Sequence, residues 1–145
     1  MVLAGRRIND GMGEWVVLQL VVAMARRGLA IGGAQVLVLG LTFKENCPDL
    51  RNTKVVDVIE ALRTYGMEPV VVDPWVDPKE AQHEYGLSVV PESPAGSRYA
   101  AVVAAEAHRQ FATLEPQQWQ QLLDVAGVLL DLKGVMPRDL QPMRL

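Results

Sequence analysis

Between Leu41 and Asn52 the chain carries Lys44, Glu45, Asn46, Cys47, Pro48, Asp49 and Arg51 in close succession. Two cations at that spacing suit an anion with several oxygens, such as a diphosphate, where backbone donors stand beside them. The same residues allow a plainer reading, in which Lys44 and Arg51 pair with Glu45 and Asp49 on a solvated turn. Cys47 is the single cysteine; it reads as a loop residue rather than a nucleophile. His108, in Ala105-Glu-Ala-His-Arg-Gln-Phe, reads as a cap or packing residue, and His83 as a solvated side chain. Trp15, Trp75 and Trp119 read as core or interface anchors rather than stacking platforms.

An apolar strand in front and a helix behind must position this segment. Gln35 to Gly40 is a β-rich apolar run of the kind buried on both faces of a parallel sheet. Thr53 to Tyr65 has helical spacing, with Val55, Val56, Ile59 and Leu62 inward and Gly66 at the stop position. The loop therefore lies at the carboxyl end of a strand and meets the first amides of a helix, where open parallel sheets bind their ligands. Further strands are expected at Pro69 to Asp73, Leu87 to Val90, Tyr99 to Ala104 and Gly127 to Leu132. Helices are expected at Pro78 to Tyr85 and Glu115 to Val125, and an irregular tail after Gly134. Alternating strands and helices imply an α/β fold: a doubly wound, parallel, five-stranded, Rossmann-like sheet over residues 32–145, preceded by an apolar helix within 1–31. Gly40 is not followed by glycines at the dinucleotide-fingerprint spacing, so the fold does not by itself imply NAD binding.

That first helix should run from a cap at Asn9 or Asp10 to about Gly28 and shows no wide polar face. A helix of this kind needs cover on several sides, so a second subunit or another domain is expected against it. Its apolar run, Trp15 to Ala25, is shorter than the roughly 18 to 20 residues of a membrane span. With 14 Lys and Arg against 17 Asp and Glu, and a net charge of −3, no extended basic face for nucleic acid or anionic lipid is expected. A length of 145 residues, 50% hydrophobic, is enough for one core. One cysteine excludes an internal disulfide, no leader pattern opens the chain, and a cytoplasmic location is expected. No metal site is read.

Gly40-Leu-Thr-Phe-Lys-Glu-Asn-Cys-Pro-Asp-Leu-Arg-Asn-Thr, followed by Val72-Asp73-Pro74, closely resembles the C-terminal domain of the UDP-glucose/GDP-mannose dehydrogenase family. The nearest branch is similar to the UDP-N-acetylhexosamine 6-dehydrogenases of capsule and O-antigen biosynthesis. Gly5-Arg-Arg-Ile-Asn-Asp is similar to the start of that family's central dimerisation helix, and Asp131-Leu-Lys-Gly to its final strand. By resemblance, Phe43 and Lys44 match the pair that contacts the UDP-sugar, and Lys133 matches a further cationic substrate contact. Arg51 matches the arginine that reaches NAD on the other domain, and Asp49 either orients Arg51 or caps the following helix. Family members oxidise a sugar C6 alcohol to a carboxylate in two NAD-dependent steps, using a cysteine in a Gly-Phe-Gly-Gly-x-Cys segment. That segment is not among these residues, so the resemblance implies a UDP-sugar-binding portion with no catalytic residue of its own, dimeric through its first helix and not active alone. The alternative is a non-catalytic nucleotide-sugar-binding or dimerisation module.

Overall fold

The computed structural model describes residues 12–42, 45–50 and 53–145. Helix α1 (Met12–Arg26) crosses helix α2 (Val55–Thr64) closely because Gly13 has no side chain: a Cβ there would stand 2.8 Å from the Asp57 Cβ. Val16, Val17, Leu20 and Met24 form the buried stripe of α1, packed with Val55, Val58, Ile59 and Leu62 of α2. The helix ends where Gly28 adopts φ +77° and the Leu29 amide returns to the Met24 carbonyl, the left-handed stop expected of glycine. Its expected cap at Asn9 or Asp10 lies outside the described residues. The opposite stripe of Met12, Trp15, Leu18 and Val22 remains exposed, each at 39% or more.

Five parallel strands form one sheet: β1 (Gln35–Leu39), β2 (Glu68–Val72), β3 (Val89–Val90), β4 (Tyr99–Ala104) and β5 (Leu123–Asp131), in the order β3-β2-β1-β4-β5. Side chains alternate across it, as the two-residue period of a strand requires. Val36 and Val38 face α1 and α2, while Leu37 and Leu39 face the layer that contains Phe111 and Trp119. Helix α3 (Pro78–Tyr85) begins at Asp77, whose carboxylate accepts the Lys79 amide, and ends at Gly86 with φ +66°. Two short helices, α4 (Arg109–Ala112) and α5 (Pro116–Gln121), connect β4 to β5. No helix among the described residues is long and apolar enough to cross a membrane.

The doubly wound sheet agrees with the alternation read from the sequence; the short helix α4 is an element the sequence reading does not expect, and two further differences are local. The helix expected over Glu115 to Val125 stops at Gln121, and β5 already begins at Leu123. Between Tyr99 and Ala101 of β4 the partner strand runs from Leu123 to Val128, so β5 bulges out and Ala126 takes φ +63°. Arg27 reaches this bulge and donates to the Gly127 carbonyl at 2.6 Å, fastening the end of α1 to it. The second difference is in the tail, where Met143 pairs with Leu130 and Arg144 lies 3.2 Å from Asp131.

Candidate functional site

The order of strands reverses at β1, between β2 on one side and β4 on the other, and the carboxyl ends of these three strands converge. Gly40 turns the chain out of β1 with φ +102°, and its amide donates to the Val72 carbonyl at 2.8 Å. Asp73, the residue after β2, is buried beneath that turn. Its Oδ2 accepts the Leu41 amide at 2.7 Å and lies 2.9 Å from His108 Nε2, while its Oδ1 accepts the Trp75 amide at 2.8 Å. Burial by itself would raise the Asp73 carboxyl. The bonds from His108, Leu41 and Trp75 outweigh it and hold the group below its ordinary value.

His108 is fully buried between this carboxylate and the loop. The Asn46 amide donates to its Nδ1 at 2.8 Å. A ring nitrogen that accepts cannot carry a proton, so the proton sits on Nε2, facing Asp73 and the Thr42 hydroxyl at 3.2 Å. Asn46 itself has φ +53°, a left-handed conformation that asparagine tolerates, and its side-chain oxygen accepts the Arg109 amide at 2.8 Å. Further along the loop the Leu50 carbonyl accepts Tyr85 Oη–H at 2.6 Å. Thr53 donates to the Leu41 carbonyl at 2.5 Å, closing the loop at its neck, and its hydroxyl accepts the Val55 amide at the start of α2.

Beside this network a crevice of about 630 Å³ opens between the strand ends and the first turns of α1 and α2. Thr42, Thr53, Lys54, Asp57, Glu106 and Lys133 supply its polar side chains, with Val16 among the apolar residues. Lys133 is exposed and follows β5; the turn after it is held by Asp131, which accepts the amides of Gly134, Val135 and Met136. Glu106 is buried, and burial raises its carboxyl above the ordinary range even though the Lys133 charge pulls it down. This edge can therefore offer an anion the positive end of α2 and the Lys54 and Lys133 ammonium groups, while the Thr53 hydroxyl already donates to the Leu41 carbonyl. A larger groove of about 760 Å³ lies on the other face, between Phe111 and residues 91–98, and is lined by neither Asp49 nor Lys133.

Of those marked residues, Phe43, Lys44 and Arg51 lie outside the described residues, although Thr42 and Thr53 on either side of their loop line the crevice. Asp49 is half-buried in the loop, five residues before the N-cap position of α2, which Lys54 takes. Lys133 lines the crevice itself. The Asp73–His108 pair and Glu106 were not read from the sequence as site residues. Their signal was a polar residue at or soon after an apolar strand end, Asp73 directly after β2 and Glu106 and His108 two and four residues past β4, but assigning partners to them needs the strand order. Trp75 is half-buried, with the Arg109 guanidinium carbon 5.1 Å from its ring centroid, whereas Trp119 is in the core and Trp15 is exposed.

Residues 37–138 match the family described as "UDP-glucose/GDP-mannose dehydrogenase family, UDP binding domain". The chain is 47% identical over 145 residues to the UDP-N-acetyl-D-glucosamine 6-dehydrogenase of Pseudomonas aeruginosa, covering 100% of this chain and 34% of that protein. It is 43% identical to the enzyme of the same name from Salmonella typhi, again over 100% of this chain and 34% of the relative. The chain thus spans about a third of the length of the curated relatives it matches. Among solved structures, the NDP-N-acetyl-D-galactosaminuronic acid dehydrogenase of Methanosarcina mazei Go1 shares the fold, with a TM-score of 0.82 and 22% identity, over 94% of this chain and 28% of that one.

Proposed function

Since the chain belongs to the UDP-glucose/GDP-mannose dehydrogenase family, as its UDP binding domain, we propose that it holds a UDP-sugar at the carboxyl edge of its sheet. The observation that carries this reading is the crevice at the point of strand reversal, where Lys133, Lys54 and the head of α2 line one cavity with Thr42 and Thr53. Phe43 and Lys44 complete the contact to the nucleotide sugar from the loop, and Lys133 meets it from β5. Arg51 serves NAD held on another domain, and Asp49 supports that role.

In this reading the whole protein oxidises the C6 alcohol of a UDP-N-acetylhexosamine or UDP-glucose to the carboxylate with NAD, for polysaccharide biosynthesis in the cytoplasm. NAD is not a ligand of these residues alone. The acid that dinucleotide-binding sheets offer to a ribose stands just past such a strand; here Asp73 is buried, and its oxygens face the Leu41 and Trp75 amides and His108. Two copies pair through the exposed stripe of α1.

The deciding experiment is a calorimetric titration of the 145-residue chain with UDP, UDP-glucose, UDP-N-acetylglucosamine, UDP-N-acetylgalactosamine, GDP-mannose and NAD. Saturable binding of UDP and at least one UDP-sugar, with none of NAD, is expected. Preference for NAD, or no binding of any uridine nucleotide, would overturn the reading.

A further inference from the structure

We propose that His108 is a positioning residue for the ligand loop: braced by Asp73 on one side, it grips the Asn46 amide on the other and so sets the conformation from which the loop meets a nucleotide sugar. The inference rests on the functional reading above, but its geometry is independent of it. Asp73 Oδ2, His108 Nε2, His108 Nδ1 and the Asn46 amide form one continuous line of hydrogen bonds, at 2.9 and 2.8 Å, from the floor of the sheet to the loop. Asn46 then returns to the same segment through its side chain, at 2.8 Å to the Arg109 amide, so both a main-chain and a side-chain group of one loop residue are tied to positions 108 and 109. Phe111 and Trp75 flank the ring, each tilted at 45° to it, with centroids 5.6 and 6.3 Å away.

A packing role would not require this arrangement. Both side chains of the Asp73–His108 pair are fully buried, and burying an imidazole and a carboxylate together is often no better for stability than apolar side chains of equal volume. What the pair does that an apolar residue cannot is present a lone pair at a fixed point under the loop. The carboxylate selects the tautomer by accepting a hydrogen bond from Nε2–H, which leaves Nδ1 free to accept. The left-handed backbone of Asn46 is strained for most residues, and the two bonds at 108 and 109 are what hold it.

The test separates the two ends of the ring. In the 145-residue chain, His108→Asn places an amide oxygen near the Nδ1 position and keeps an acceptor for Asn46, while His108→Gln reaches the Nε2 position and keeps a donor for Asp73. The readouts are hydrogen exchange of the Asn46 amide, affinity for UDP-N-acetylglucosamine and UDP, and melting temperature. His108→Gln should lose most of the Asn46 protection and weaken UDP-N-acetylglucosamine about tenfold. His108→Asn should retain protection and bind within about threefold of the parent chain, even where it melts lower. If affinity instead follows melting temperature across both variants, the role is structural only and the proposal falls. Imidazole nitrogen shifts of the unmutated chain give a check that no folding defect can blur: His108 should be protonated on Nε2 and bare on Nδ1, and the opposite tautomer would overturn the clamp. Failure of the unmutated chain to bind either probe would defeat the reading of the site, whereas the exchange and tautomer measurements judge the clamp by themselves.

Discussion

Gly40 and Glu106 lie in contact across the ends of β1 and β4, so close that a Cβ on Gly40 would overlap the Glu106 Cβ and stand 2.9 Å from its amide nitrogen. Gly40 also has φ +102°, where any side chain is strained. This contact draws the two strand ends together beneath the crevice.

Gly40→Ala should therefore destabilise the chain by about 2–4 kcal/mol, through backbone strain and forced separation of the two loops. Urea unfolding would measure it. A loss below about 0.5 kcal/mol would mean that the strand ends part without strain.

The buried carboxyls of Asp73 and Glu106 should respond to pH in opposite directions. Asp73 is held below its unfolded value of 3.8, so its contribution is complete above that value and disappears as pH falls through the lower, folded one. The stability advantage of the parent chain over Asp73→Asn should accordingly be level at neutral pH and shrink only in acid. Glu106 is raised above 4.5, so the folded chain favours its protonated form and loses stability as pH rises from there. Glu106→Gln should match the parent in acid and exceed it at neutral pH. Melting temperatures of the three proteins across the acid range would show both trends, and parallel curves would refute them.

On α1, the buried and exposed stripes separate folding from association. Leu18 and Val22 are 44% and 39% exposed, whereas Val17 and Leu20 are fully buried. The double change Leu18→Glu and Val22→Glu should leave the melting curve of the isolated fold nearly intact while converting a dimer to monomer in sedimentation. A well-behaved monomer from the unmutated chain would rule out association through this stripe.

Lys44 and Arg51 share a loop but are assigned to different ligands. Lys44→Ala should weaken UDP by about 1.5 to 3 kcal/mol, roughly ten- to a hundredfold, and Arg51→Ala much less. If both cations merely attract the diphosphate, the losses will be equal and equally salt-dependent. Calorimetry of both variants at two salt concentrations distinguishes the cases.

Local chemistry in the sequence was sufficient for the elements and the family. Alternating apolar runs with glycine stops at Gly28 and Gly66 placed the five strands and every α-helix but the short α4, and the loop after Gly40 carried the family signature. Three features depended on tertiary structure. The pairing of Asp73 with His108, 35 positions apart, arises because β1 inserts between β2 and β4 and brings the ends of those outer strands together over its own. The bulge at Ala126 exists only in the register of β5 against β4, and so a helical period ran on past Gln121 in the sequence. The stripe of α1 left exposed was decided by Gly13, which lets α2 approach one side and not the other. Side-chain period and turn chemistry are properties of neighbouring residues and can be read along the chain. Strand order, register and the close approach of two backbones are set by hydrogen bonds and packing between distant segments, which no local spacing records.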